Sequence, residues 1–358
     1  MVGPRRGGLG RRGTLILLTL VMSMAGWVTF RRWSATRDDG GTRAPSTLEP
    51  VAHVPAGAVL AVELDLEALR AHPATREWLR EPRPIEGIGD VSALCGNDPL
   101  ERVRRLVLAI PGTGDAGFGL VATGDLNASV LLGCAEKLIA RRGGTAAREA
   151  RDGAMFLRDV AAPEAAQLAV VPGRSLALAE PALLTQILAV ADGRRKSLAS
   201  DSRFVEMRRA LGTGALVATA LLSDEQRGTL LDELGRQGAS NSPLRALRAG
   251  GFSVDVGDTL RVRGLLVADD PTSAGALAEH VRSELGTQAD SSLAKLVGYG
   301  SLLARVQVRA DERQVRFEAD MPLAEVLVVV RRAVALKRLV GEGASDSRGV
   351  PTATPRPN

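Results

Sequence analysis

The sequence predicts an α+β protein of two similar β-α-ββ-α-ββ-α halves, with antiparallel sheets and helices on one face, preceded by one transmembrane helix. Three observations carry that prediction. The chain has 358 residues, 45% of them hydrophobic, enough to bury a core over about two domains. Short β-rich runs alternate with amphipathic stretches in an order that occurs twice. Near the N-terminus, Thr14 to Phe30 reads TLILLTLVMSMAGWVTF without a charge.

Those 17 residues rise about 26 Å as a helix, a little short of a hydrocarbon core of about 30 Å. Arg11 and Arg12 before the segment and Arg31 and Arg32 after it can snorkel to close the gap. Four arginines precede it and three follow, the latter diluted by Asp38 and Asp39, so the positive-inside rule favours a cytoplasmic N-terminus and an exported bulk. Cleavage after Ser23-Met24-Ala25 is the competing reading, and Arg11-Arg12 fits a twin-arginine signal poorly. No cysteine lies near residue 30 for a lipid anchor.

The organisation expected is a short cytoplasmic segment (1–13), a membrane helix or signal anchor (14–30), a flexible linker (31–50), two α+β halves (51–196 and 197–340) and a disordered tail (341–358). In the first half, strand Ala58 to Leu64 leads to helix Leu66 to Leu79. Strands Val103 to Ile110 and Phe118 to Thr123 precede helix Ala128 to Arg142. Hairpin Gln167 to Val171 with Ser175 to Leu178 precedes helix Pro181 to Ala191. The second half runs from strand Ala215 to Leu222 and helix Asp224 to Leu234 to hairpin Gly251 to Val256 with Thr259 to Val267, then helix Pro271 to Leu285. It closes with hairpin Leu303 to Val308 with Gln314 to Glu318 and helix Leu323 to Leu339. Asn127, Glu180-Pro181 and Asp270-Pro271 stand where a hairpin gives way to a helix, since caps and first-turn prolines satisfy or dispense with its free N–H groups.

Charge and composition narrow the function. Of 46 basic and 41 acidic residues, seven arginines and two aspartates fall within residues 1–40, so the remainder carries 39 of each. A neutral soluble region with 3% aromatic residues lacks the basic face and stacking rings of a nucleic-acid binder, so no nucleic-acid partner is expected. Residues 112–117 spell GxGxxG after a strand, but a second strand follows instead of a helix, which makes the glycines a hairpin tip and not a dinucleotide cradle. His280 and Glu284 share a helix face four residues apart, a spacing that could hold a metal or an acid–base pair, yet no neighbour in sequence completes either. Asp224-Glu225 and Asp269-Asp270 sit at helix starts, where negative charge is favourable without any catalytic role. Neither cofactor, metal site nor catalytic constellation is expected.

The two cysteines, Cys95 and Cys134, are expected to pair in an oxidising compartment. The run Val54-Pro55-Ala56-Gly57-Ala58-Val59-Leu60-Ala61-Val62-Glu63-Leu64-Asp65, with the loop Cys95-Gly96-Asn97-Asp98-Pro99 and the repeated hairpin–helix units, resembles uncharacterised membrane-anchored secreted proteins of high-GC Gram-negative bacteria. That resemblance implies location and architecture and carries no activity with it. The resulting expectation is a single-pass inner-membrane protein, held through residues 14–30, whose periplasmic bulk is a non-catalytic interaction or scaffolding domain for an envelope protein. An exported hydrolase using His280 with Glu284, and a solute-binding module between the halves, are the other readings.

Overall fold

The computed structural model describes residues 49–80, 84–85, 89–96, 98–112, 117–171, 175–236 and 242–333. The predicted membrane helix, the linker up to residue 48, the hairpin tip 113–116 and the tail lie outside them. Among the described residues no helix is long and apolar enough to cross a membrane.

Seven strands come from the first predicted half: β1 (Ala58–Asp65), β2 (Val103–Pro111), β3 (Gly119–Gly124), β4 (Ala146–Arg151), β5 (Ala154–Asp159), β6 (Gln167–Val171) and β7 (Ser175–Ala179). Five come from the second: β8 (Leu216–Leu221), β9 (Leu247–Val256), β10 (Thr259–Ala268), β11 (Gln307–Asp311) and β12 (Gln314–Pro322). All twelve form one sheet in the order β11-β12-β10-β9-β8-β1-β2-β3-β7-β6-β5-β4. Every pairing is antiparallel, and the halves meet where β1 pairs with β8, from Leu60 opposite Ala220 to Leu64 opposite Leu216. The α+β class and the antiparallel sheet stand as predicted.

The prediction that helices cover one face does not. Successive strand residues point to opposite faces, and β1 shows where they go. Ala61 packs with Val107, Val121 and Ala177 against α5 (Pro181–Ala191) and α6 (Ser202–Leu211), through Leu183, Ile187 and Phe204. Val62, one residue on, packs on the other face with Leu216, Val254 and Val326 of a helix over 323–333, α11. That second face also carries α1 (Leu66–Ala71), α4 (Ala128–Arg141) and α8 (Pro271–Asp290). A sheet whose central strands alternate two sets of apolar residues needs cover on both sides.

Three further differences have local causes. The helix predicted over Leu66 to Leu79 is two, α1 and α2 (Pro73–Arg80), because His72 precedes a proline and adopts an extended ψ of 142°. The hairpin β4–β5 escaped prediction because β4 reads AAREAR, a charged edge strand without apolar alternation. Its turn, Asp152-Gly153, has φ of 53° and 75°, as a two-residue hairpin connection requires. Helix α6 is capped by Asp201, whose carboxylate accepts the Arg203 N–H at 2.9 Å, and it ends at Gly212 with φ 74°.

The remaining elements are α3 (Val91–Cys95), α7 (Asp224–Arg236), α9 (Ser292–Val297), α10 (Gly300–Leu303), and short 3-10 turns including Pro50–His53 and Leu198–Ser200. A two-stranded ribbon, Pro84–Ile85 with Gly89–Asp90, precedes α3.

Candidate functional site

The most unusual chemistry lies on the α5/α6 face of the central strand. The alternation that points Ala61 into the core points Glu63 and Asp65 to the same side. Glu63 lies opposite Val217 of β8 and Val107 of β2, a place where an apolar residue would be expected. Its Oε1 accepts the Nε–H of Arg208, from α6, at 2.8 Å, and a second Arg208 nitrogen donates to the Gly212 carbonyl. The side chains of Glu63 and Arg208 keep 16% and 28% of their exposure, so both charges are largely removed from water. Burial raises the Glu63 pKa above its ordinary value of 4.5, opposed by the charge and hydrogen bond of Arg208, with Glu49 pushing further up and Arg105 pulling down.

Beside this pair, Arg105 donates to Asp65 at 3.1 Å and to Glu49 at 2.5 Å, bridging β1, β2 and the residue before the first 3-10 turn. Asp65 also caps α1, accepting the Ala68 N–H at 2.8 Å. Each carboxylate and guanidinium in this group thus has a structural use, fastening α6 and the first 3-10 turn to the sheet. A carboxyl with a raised pKa is a general feature of acid–base sites, but here its oxygen faces Arg208 and not a cleft. An open depression of about 580 Å³ lies elsewhere, lined by Leu231, Asp232, Gly235, Arg236 and Arg245.

The residues singled out in the sequence are dispersed. His280 is half-buried on α8 and Glu284 exposed, with no hydrogen bond or ion pair between them among the described residues. The other two histidines stand apart from this pair: His53 is buried in the first 3-10 turn, and His72 lies between α1 and α2, its Nε2 3.7 Å from Asp258. Partial burial lowers the His72 pKa against the opposing pull of Asp258. Among the described residues no three His, Cys, Asp or Glu side chains are grouped to hold a metal. The glycine-rich turn joins two paired strands, Ala109 lying opposite Gly119. The Gly112 carbonyl accepts from Gln226 at 2.7 Å, and the Gly117 N–H donates to Glu180 at 3.1 Å. Asp269 takes two arginines, Arg227 at 3.0 Å and Arg248, while Asp270 caps α8 through the Ser273 N–H at 2.9 Å.

The sulfurs of Cys95 and Cys134 lie at bonding distance and join α3 to α4. Sequence reasoning passed over Glu63 and Arg208. The available signal was Glu63 on the inward phase of an otherwise apolar strand, but its partner stands in a helix that the sequence reading did not contain.

No protein-family model matches the chain, and no curated protein matches it. The chain is similar to a solved structure described as "Structure of crystal form I of TP0453", with 13% identity over 81% of this chain and 99% of that one, and a TM-score of 0.43.

Proposed function

We propose that the chain is a membrane-tethered extracytoplasmic protein whose folded region serves as an interaction or scaffolding domain for an envelope protein. The observation that carries the proposal is the Cys95–Cys134 bridge, because disulfides persist in oxidising compartments outside the cytoplasm. The uncharged run from Thr14 to Phe30 between arginine pairs supports the tether, and the polar residues 31–50 supply reach. Helix α11 supports the interaction role: its apolar run leaves Val328 44% exposed, and neighbouring α9 leaves Leu296 65% exposed. The two helices abut, since Gly298, which caps α9, lies beside Val329 and Arg332.

Within this reading the two halves are copies of one unit. Outward from the centre the first runs β1-β2-β3-β7-β6 and the second β8-β9-β10-β12-β11, with β5 and β4 added at the first half's edge. In both, a helix follows the third strand and another follows the last hairpin.

The test is capture of the full chain from its native membranes after brief cross-linking, beside the variant Val328→Asp. Capture of the same envelope protein by the wild type, reduced at least severalfold by the variant, is expected. An empty capture from membranes that hold the chain would contradict the scaffold and turn attention to a hydrolase or solute binder.

A further inference from the structure

We propose that the Cys95–Cys134 disulfide is a redox-operated clasp: a dithiol opens it, frees α3 from α4 and uncovers Leu131 and Cys134, while the twelve-stranded sheet stays folded.

Little besides the bridge holds α3 among the described residues. None of the described residues from Asp90 to Arg102 is buried, although strands on either side of this excursion sit in the core. Among the described residues the hydrogen bonds from Asp90 to Gly96 are local: Asp90 pairs with Pro84 and accepts the Ser92 and Ala93 N–H groups, and the Gly96 N–H returns to the Ser92 carbonyl. Further along, the Leu100 carbonyl accepts a side-chain bond from Arg70, and Arg102, where the segment rejoins β2, accepts the Asp125 N–H at 3.1 Å and pairs with the Asp125 carboxylate at 3.2 Å. Segments with few buried apolar contacts open at low free energy, far below global unfolding. The bridge is therefore the main attachment of α3 to the fold.

The surface beneath is placed to be revealed. On α4, Leu132, Ala135 and Ile139 face the sheet with Leu157 and Val170. Leu131 and Cys134, three residues apart and so on one helix face, are buried at 9% and 5% exposure without joining that sheet-facing cluster. The bridge to Cys134 ties α3 to this face of α4.

The two sulfurs also differ in access, since Cys95 is half-buried and Cys134 buried. A dithiol thiolate attacks the Cys95 sulfur, forming a mixed disulfide and expelling the Cys134 thiolate, which takes up a proton. The second thiolate of the dithiol then displaces Cys95, which is protonated in turn. Two electrons and two protons pass to the protein, and the dithiol leaves as its own disulfide.

Hydrogen exchange of the full chain, followed by mass spectrometry with and without dithiothreitol, tests the clasp. Exchange at least about tenfold faster is expected in peptides covering 90–102 and the start of α4, with β1, β8 and β9 unchanged. The double variant Cys95→Ala/Cys134→Ala should show that fast pattern without reductant and gain nothing when it is added. A dithiol protein lacking its resolving cysteine should be trapped on Cys95. Unchanged exchange over 90–102 after both thiols are freed, equal acceleration in the central strands, a bridge that dithiothreitol cannot reduce without denaturant, or a double variant that does not fold would each overturn the proposal.

Discussion

Glu63 is the residue at which sequence pattern and chemistry part company. An inward strand position is written for an apolar side chain, and the chain spends a carboxylate there to meet Arg208. Because burial outweighs the arginine, the folded protein holds the Glu63 proton to a higher pH than the unfolded chain does. The sign follows from linkage: as pH rises from 4.5 through the raised value, the native state loses stability relative to a variant that cannot ionise. Urea unfolding of the wild type and Glu63→Gln from mildly acid to neutral pH should show the wild type losing ground over that window. A wild type that gains ground instead would mean that Arg208 prevails over burial. Nearby, Thr219 is buried at 2% exposure, and its hydroxyl lacks a hydrogen-bond partner among the described residues. Thr219→Val should stabilise the fold by about 1 kcal/mol in the same assay. Neither residue stood out in the sequence, because a buried charge or hydroxyl is recognised by what lies across from it.

Elements were legible where period and punctuation agreed. Helices α5 and α8 begin at the prolines foreseen, and β9–β10 and β6–β7 are the hairpins foreseen. The misses fall where one signal masked another. The predicted strand begins at Gly251, whereas β9 begins at Leu247, because Gly250-Gly251 interrupts the apolar pattern that marks a strand. The structure gives Gly251 a packing reason: a Cβ there would meet the Ala218 carbonyl oxygen at 2.5 Å and the Leu211 side chain of α6 at 2.7 Å. Glycine lets α6 approach the sheet. Gly251→Ala should therefore cost about 2–3 kcal/mol, with near-ultraviolet and exchange changes concentrated in α6 and β8. A cost within experimental error would show that α6 does not depend on this close approach.

At the scale of the molecule, the two predicted halves share one sheet, because the pairing of β1 with β8 makes them continuous. That contact joins residues 152 to 160 positions apart and follows from two apolar strands completing one another, which no local period announces. The two-sided cover follows from the same fact, since a strand flanked on both edges and alternating Ala61 with Val62 has no face left for water. The candidate site was legible only in part: the cysteine pair was foreseen, whereas the charged cluster depends on a helix that the sequence reading lacked.

The folded region is proposed to stand outside the inner membrane on a tether near the N-terminus. Protease added to the outer side of intact inner membranes tests it most directly, with the released and retained pieces mapped by mass spectrometry. Cleavage within residues 31–50, release of a soluble fragment that keeps the Cys95–Cys134 bridge, and retention of the preceding segment in the membrane are expected. A full-length chain that stays protected until detergent opens the membrane would contradict it.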